Sequence, residues 1–216
     1  MELNKVYNMD CLEYMRGLED NCIDLVLTDP PYGINADINQ NKQLGKNRGN
    51  GKTKIYKKTN WDSYIPKKEI FDEISRISRY QMIWGGNYMT SFLEPNNNWI
   101  IWDKKQDLKQ GDGELCYSSI EHSVRIFRQS RIDAYVNRTD GKFHPTQKPT
   151  ELMTFCINLA IAKDNTIKTI YDPFSGSGTT LVSAKSKGLN YIGTELDKDY
   201  FNIINKRLEQ VQGSLF

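Results

Sequence analysis

The chain has 216 residues and a formal net charge of +2, with 38% hydrophobic and 26% charged residues. That size fits one sizeable domain that buries its own core. A pI near 8.2 excludes a wholesale polycation, so any affinity for nucleic acid must come from local clusters of charge. Cys11, Cys22, Cys116 and Cys156 form no C-x-x-C pair, and the two histidines lie far apart. This excludes a zinc pattern and points to reduced, mostly buried thiols. The opening Met1 to Tyr7 holds no apolar signal region, and no stretch reaches the roughly 18 to 20 apolar residues of a membrane span, so a soluble, cytoplasmic protein is expected.

The spacing predicts a short strand over Leu3 to Met9, ending at Asp10-Cys11, and a short helix over Leu12 to Leu18. Ile23-Asp24-Leu25-Val26-Leu27 reads as a buried parallel strand. It stops at Asp29, because Pro30 and Pro31 cannot donate to a ladder. The edge Thr28-Asp29-Pro30-Pro31-Tyr32-Gly33 therefore presents an acceptor-only carboxylate, carbonyls held by two rigid rings and an aromatic plate. The competing reading is simple turn punctuation. From Asn35 to Asn60 apolar periodicity vanishes, and Lys42, Lys46, Arg48, Lys52, Lys54, Lys57 and Lys58 face one acid, Asp37. A long loop of this kind is functional or merely solvated, and its place after the Asp-Pro-Pro-Tyr edge favours nucleic-acid contact.

Pro66 to Arg79 has the apolar spacing of a helix, and Tyr80 to Trp84 follows as a buried strand closed by Gly85-Gly86. Asn98 to Trp102 and Ile120 to Phe127 read as strands, expected to form an antiparallel pair. Between and after them lie two polar connections, 103–118 and 128–143. Pro149 is well placed in the first turn of a helix from Glu151 to Ala162. Thr166 to Tyr171 is a strand, followed by Asp172-Pro173-Phe174-Ser175-Gly176-Ser177-Gly178-Thr179-Thr180. A helix over 180–187, a strand over 191–195 and a helix over 199–211 complete the chain.

Strand, glycine turn, helix, strand and acid is the layout of a Rossmann-like half-site, with Gly176 and Gly178 giving close backbone approach and Glu195 placed to accept ribose hydroxyls. The lysine of a phosphate-binding loop is missing, and Leu181 stands where a dinucleotide site has its third glycine. A nucleoside with a small charged tail remains. Asp172 fits that, since a carboxylate there repels pyrophosphate and attracts an ammonium group. S-adenosylmethionine has this chemistry.

Three blocks together, Asp172 to Thr180, Thr28 to Gly33 and His144-Pro145-Thr146-Gln147-Lys148-Pro149, resemble the permuted amino-group DNA methyltransferases, in which the catalytic motif precedes the cofactor motif. The resemblance spans nearly the whole chain. It implies an α/β, Rossmann-like methyltransferase fold: a mostly parallel sheet with an antiparallel hairpin at one edge, helices on both faces, and a single catalytic domain over 1–216. It also implies that Phe174, Gly176 and Gly178 wrap S-adenosylmethionine, that Thr179 and Thr180 face its carboxylate, and that Asp172 sits near its ammonium. Glu195 would hold its ribose, and Lys148, with the His144 motif, would lie at its methionine end. Asp10 and Cys11 match the segment beside the adenine; their other reading is a helix-capping Asp and a core Cys.

An exocyclic amino nitrogen is a poor nucleophile because its lone pair is delocalised into the base. Asp29 and the Pro30 carbonyl are acceptors that would localise that pair, and Tyr32 would replace the stacking lost when a base leaves the duplex. In the subgroup, Asp at the head of the motif goes mainly with adenine N6 and Ser with cytosine N4, so N6 of adenine in double-stranded DNA is the expected target. Methylation of RNA, methylation of cytosine N4, and a cofactor-binding regulatory module without chemistry are the alternatives. Phosphate contact is expected from Lys42 to Lys58, and base contact from the two polar connections. No metal is expected.

Overall fold

The computed structural model describes residues 1–34, 62–106, 111–130, 133–134 and 147–211. In chain order these form β1 (Lys5–Tyr7), α1 (Cys11–Arg16), β2 (Ile23–Thr28), α2 (Lys68–Ile77), β3 (Ser78–Trp84) and a 3₁₀ turn (Gly86–Tyr88). There follow β4 (Trp99–Asp103), β5 (Gly113–Ser118), β6 (Arg125–Arg128), α3 (Thr150–Lys163), β7 (Thr169–Asp172), α4 (Thr179–Ser186), β8 (Asn190–Thr194) and α5 (Lys198–Gln210). The strands make one sheet in the order β1-β8-β7-β2-β3-β5-β4-β6. The first five are mutually parallel, β5 is antiparallel to both its neighbours, and β6 is parallel to β4. This is the expected Rossmann-like α/β architecture.

Strands at the sheet centre are apolar on both faces because helices cover both. Leu25 and Leu27 of β2 and Met82 and Trp84 of β3 enter a core built with α3, α4 and α5, while Val26 and Ile83 enter a second core with α1 and α2. Side chains that alternate along a strand are thus shared between two layers. Helix α2 stops at Ile77, two residues short of the expected end. Ser78 takes extended backbone, its hydroxyl donates to the Ile74 carbonyl at 2.6 Å, and the chain passes directly into β3.

The expected antiparallel pairing of 98–102 with 120–127 is overturned. The antiparallel partner of β4 is β5, with Trp99 opposite Tyr117 and Trp102 opposite Glu114, and β6 lies parallel on the other side of β4. The alternation that suggested a long strand does not follow a buried face: Ile120 and His122 are buried, but Val124 and Ile126 are exposed. The second half of the 103–118 connection is likewise strand rather than loop. Bonded on both sides, β5 buries Cys116, Tyr117 and Ser118. The hairpin consequently lies one strand in from the sheet edge.

This topology gathers the chemistry. The carboxyl ends of β1, β8, β7, β2 and β3 share one edge, where ligands bind in open α/β sheets. β4 points the same way as β3, since both oppose β5, and β5 delivers its amino end to that same edge.

Candidate active site

Asp29 leaves the end of β2 with its side chain 22% exposed. Its Oδ1 accepts from the Tyr32 hydroxyl at 2.5 Å and its Oδ2 from Lys148 Nζ at 2.5 Å. The turn behind it is pinned from a distant segment: buried Asp62 accepts from the backbone N–H of Tyr32 at 2.7 Å and of Gly33 at 3.0 Å. The Tyr32 ring is not the open plate expected from sequence. It stacks on Tyr88 at 5.1 Å between centroids, the Lys148 ammonium lies 5.2 Å from its centroid, and it packs on the backbone at Gly85, where an added Cβ would stand 2.0 Å from Tyr32 Cε1. Gly85 also has φ 67°, so both space and backbone reserve that position for glycine.

Lys148 immediately precedes Pro149 and α3 and is 5% exposed. Its ammonium touches Asp29, the Tyr32 oxygen at 3.0 Å and Glu114 Oε2 at 3.0 Å, which accounts for its three protons. Glu114, at the amino end of β5, is held on its other oxygen by buried Lys104 at 2.6 Å. Two carboxylates and two ammonium groups therefore alternate and cancel, as buried charges must. Burial pushes the Asp29 carboxyl above the ordinary range, against the pull of Lys148 and with the help of the Glu114 charge. Burial also opposes ionisation of Glu114, but Lys148 and Lys104 outweigh it and bring that carboxyl down to about 2. Burial works against the Lys148 charge too, yet Asp29 and Glu114 hold it above its usual range.

The glycine turn is assembled by hydrogen bonds to backbone and hydroxyl groups. Asp172 is buried, and its Oδ1 accepts from Thr28 Oγ1 at 2.7 Å and from the Phe174 N–H at 3.1 Å. The Thr28 bond ties the glycine turn to the residue just before Asp29. Gly176 and Gly178 have φ 52° and 78°. A Cβ at Gly178 would meet Ile204 Cγ2 at 2.9 Å, whereas one at Gly176 would meet nothing closer than 4.0 Å. Glu195 accepts from the N–H groups of Gly176 and Asp197, each at 2.8 Å. Burial is the main cause that raises Asp172 to about 6 and Glu195 to about 7. Thr179 and Thr180 are buried in the first turn of α4, whose N-cap Gly178 offers no side-chain cap. The turn is supported from α5 by buried Arg207, which donates to the Ser177 carbonyl at 2.5 Å.

The structure thus brings Asp29, Tyr32, Asp172, Phe174, Gly176, Gly178, Thr179, Thr180 and Glu195 to one edge, with buried Pro30. Asp10 and Cys11 stand at that edge after β1. Asp10 caps α1 through the N–H groups of Leu12 and Glu13, and Cys11 is a core thiol pushed up to about 12, chiefly by burial. Lys148, expected at the methionine end of the cofactor, grips the Asp29 turn. Lys42, Lys46, Arg48, Lys52, Lys54, Lys57, Lys58 and His144 lie outside the described residues. Sequence reasoning missed Asp62, Gly85, Lys104, Glu114 and Arg207. Gly85-Gly86 after a buried strand was the one usable signal among them.

Comparison with known proteins gives the family and the fold. The family model described as DNA methylase matches residues 52–206. A type II methyltransferase of Moraxella bovis, M2.MboI, is 25% identical over 95% of this chain and 88% of its own. M2.DpnII of Streptococcus pneumoniae is 49% identical over 57% of this chain and 46% of its own. Among solved structures, M1.HpyAVI in complex with SAM superposes with a TM-score of 0.56 at 22% identity, covering 94% of this chain and 98% of the other. The cytosine-N4-specific PvuII DNA methyltransferase gives 0.61 at 15% identity over 100% and 89%; both share the fold. With a family model matched across most of its length and both motifs converging on one sheet edge, the chain belongs to the DNA methylase family of amino-group methyltransferases.

Proposed function

We propose that this protein is a single-domain DNA methyltransferase that moves the methyl group of S-adenosylmethionine to the N6 amino nitrogen of adenine in double-stranded DNA. One observation carries the reading: Thr28 and Asp172 bond at 2.7 Å, which sets the Asp29 carboxylate directly beside the glycine turn. An acceptor for an amino group and a nucleoside cradle thereby share one wall.

The residues present fit the cofactor. Space above Gly176 is open, the uncapped start of α4 offers N–H groups to a carboxylate, and Glu195 keeps acceptor capacity for a diol beyond its two backbone bonds. When bound, S-adenosylmethionine supplies an electrophilic methyl group. The protein's own part is to present the nitrogen. Asp29 accepts an amino N–H, which localises the nitrogen lone pair and receives the positive charge that develops there. Its raised pKa makes it a stronger base than a surface carboxylate, able to pass on the proton the nitrogen sheds. Tyr88, stacked on Tyr32 and 44% exposed, supplies aromatic surface for an extruded base. The lysines and arginine of 42–58 supply phosphate contacts.

The reading is tested by incubating the protein with methyl-labelled S-adenosylmethionine and mixed-sequence duplex DNA, with RNA of the same sequence as control, then digesting to nucleosides. Label in N6-methyladenine from DNA is expected. Label in N4-methylcytosine would reassign the base, label in RNA alone would reassign the substrate, and no label would leave only a cofactor-binding module.

A further inference from the structure

We propose that Glu114 is a positioning residue for this transfer, a second seat to which the Lys148 ammonium withdraws so that Asp29 is released for the incoming amino group. The inference rests on the function proposed above and adds to it a residue that lies in none of the three sequence motifs.

The geometry poses a conflict and supplies its resolution. Lys148 Nζ sits 2.5 Å from Asp29 Oδ2, on the carboxylate that must accept an amine acquiring positive charge. Two cations against one carboxylate repel, and in a buried site little solvent screens them. Lys148 cannot simply leave, because an unpaired ammonium in a position only 5% exposed is strongly disfavoured. Glu114 Oε2 lies 3.0 Å from the same nitrogen. A small swing of the ammonium toward it frees Asp29 while the charge stays paired. The second seat is itself held fixed, since Lys104 grips Glu114 Oε1 at 2.6 Å while packing over the Trp102 ring at 5.3 Å. With Lys104 in place Glu114 stays ionised throughout the working pH range, as its low pKa also indicates.

The topology explains why Glu114 can do this. β5 runs antiparallel between β3 and β4, so its first residues reach the edge at which the parallel strands end, and Glu114 stands opposite Trp102. Among the described residues, the titratable and charged groups that act on Asp29 are Tyr32 on its own turn, Lys148 before α3, Glu114 and Cys116 on β5, and Asp172 at the end of β7; Lys104 acts through Glu114.

The test compares wild type, Glu114→Gln, Glu114→Asp and the double variant Glu114→Gln/Lys148→Met in single-turnover transfer across pH, with S-adenosylmethionine affinity measured on each to verify a folded cofactor site. Glu114→Gln is expected to slow transfer by about 10²-fold at unchanged cofactor affinity, the scale of losing one preorganised group at a reacting centre. Its acid limb should move to lower pH, because a negative neighbour of Asp29 is gone and Lys148 is left to Asp29 alone. The double variant should be faster than Glu114→Gln, having no ammonium left to occupy Asp29, and Glu114→Asp should recover part of the rate. A merely structural Glu114 would make the double variant no faster than the single, and an unmoved acid limb would mean that Asp29 does not sense the Glu114 charge at all. Either of those results overturns the proposal while wild-type turnover keeps the methyltransferase reading intact. Wild type that methylates no DNA overturns both.

Discussion

The two turns that meet at the sheet edge are held by opposite means. The glycine turn is fixed by backbone shape and by hydrogen bonds that each join one ionisable side chain to a neutral partner: Asp172 to Thr28 and Phe174, Glu195 to Gly176 and Asp197, Arg207 to the Ser177 carbonyl. The turn itself is one run of nine residues, Asp172 to Thr180. The Asp29 turn is pinned from behind by Asp62 and fixed in front by four charges, Asp29 after β2, Lys104 and Glu114 on the β4–β5 hairpin and Lys148 before α3. A cradle for a bound nucleoside needs a shape that persists. A site that receives a developing cation needs charges that can redistribute, and charges alternating within 2.5 to 3.0 Å of one another provide that.

Each half can be broken without the other. The largest effect is expected from Asp29→Ala, which should reduce methyl transfer at least about 10³-fold while leaving S-adenosylmethionine affinity within a few fold, measured by single-turnover kinetics and calorimetry. Gly178→Ala attacks the other half. Its Cβ must enter at φ 78° and 2.9 Å from Ile204, so a loss of about 2 to 3 kcal/mol in chemical denaturation is expected, together with weaker cofactor binding.

Next in size is a pH effect confined to the glycine turn. Glu195 and Asp172 have folded values of about 7 and about 6, raised above their ordinary 4.5 and 3.8. For an acid whose pKa is raised by folding, the folded state holds its proton longer than the unfolded one. Stability without cofactor therefore falls as pH rises from about 4 to about 7. Glu195→Gln should remove a share of that fall on the order of 2 kcal/mol, visible as a flatter curve of Tm against pH. The smallest effect is expected from Asp62→Ala, which frees the N–H groups of Tyr32 and Gly33. It should raise KM for DNA about tenfold with cofactor affinity unchanged, the scale of losing a pair of charge-assisted hydrogen bonds.

The same division decides what could be read from sequence. The glycine turn, Glu195 and the Asp-Pro-Pro-Tyr edge were legible because each is a local string whose spacing carries its own mechanism. So were β2, β3 and α2, where apolar runs or helical periodicity set the element. β5 was not legible: Gly113-Glu114-Leu115-Cys116-Tyr117-Ser118 is short, glycine-led and half polar, and it is strand because neighbours bond it on both sides. Glu114 was hidden with it, as a lone acid in a polar stretch. Lys148 was recognised as part of a motif, but its partners lie 34 and 119 residues away by number, at 114 and 29, and no spacing rule connects them. Tyr32 was expected to stand open, and only tertiary packing against Gly85 and Tyr88 shows it stacked within the site.

The most direct test of the central claim is a structure of the protein with S-adenosylhomocysteine and a duplex carrying its methylation site. The account predicts the extruded adenine with its amino nitrogen about 3 Å from the Asp29 carboxylate and from the Pro30 carbonyl. Lys148 should then be seated on Glu114. An amino nitrogen bound elsewhere, with Asp29 still closed on Lys148, would contradict it.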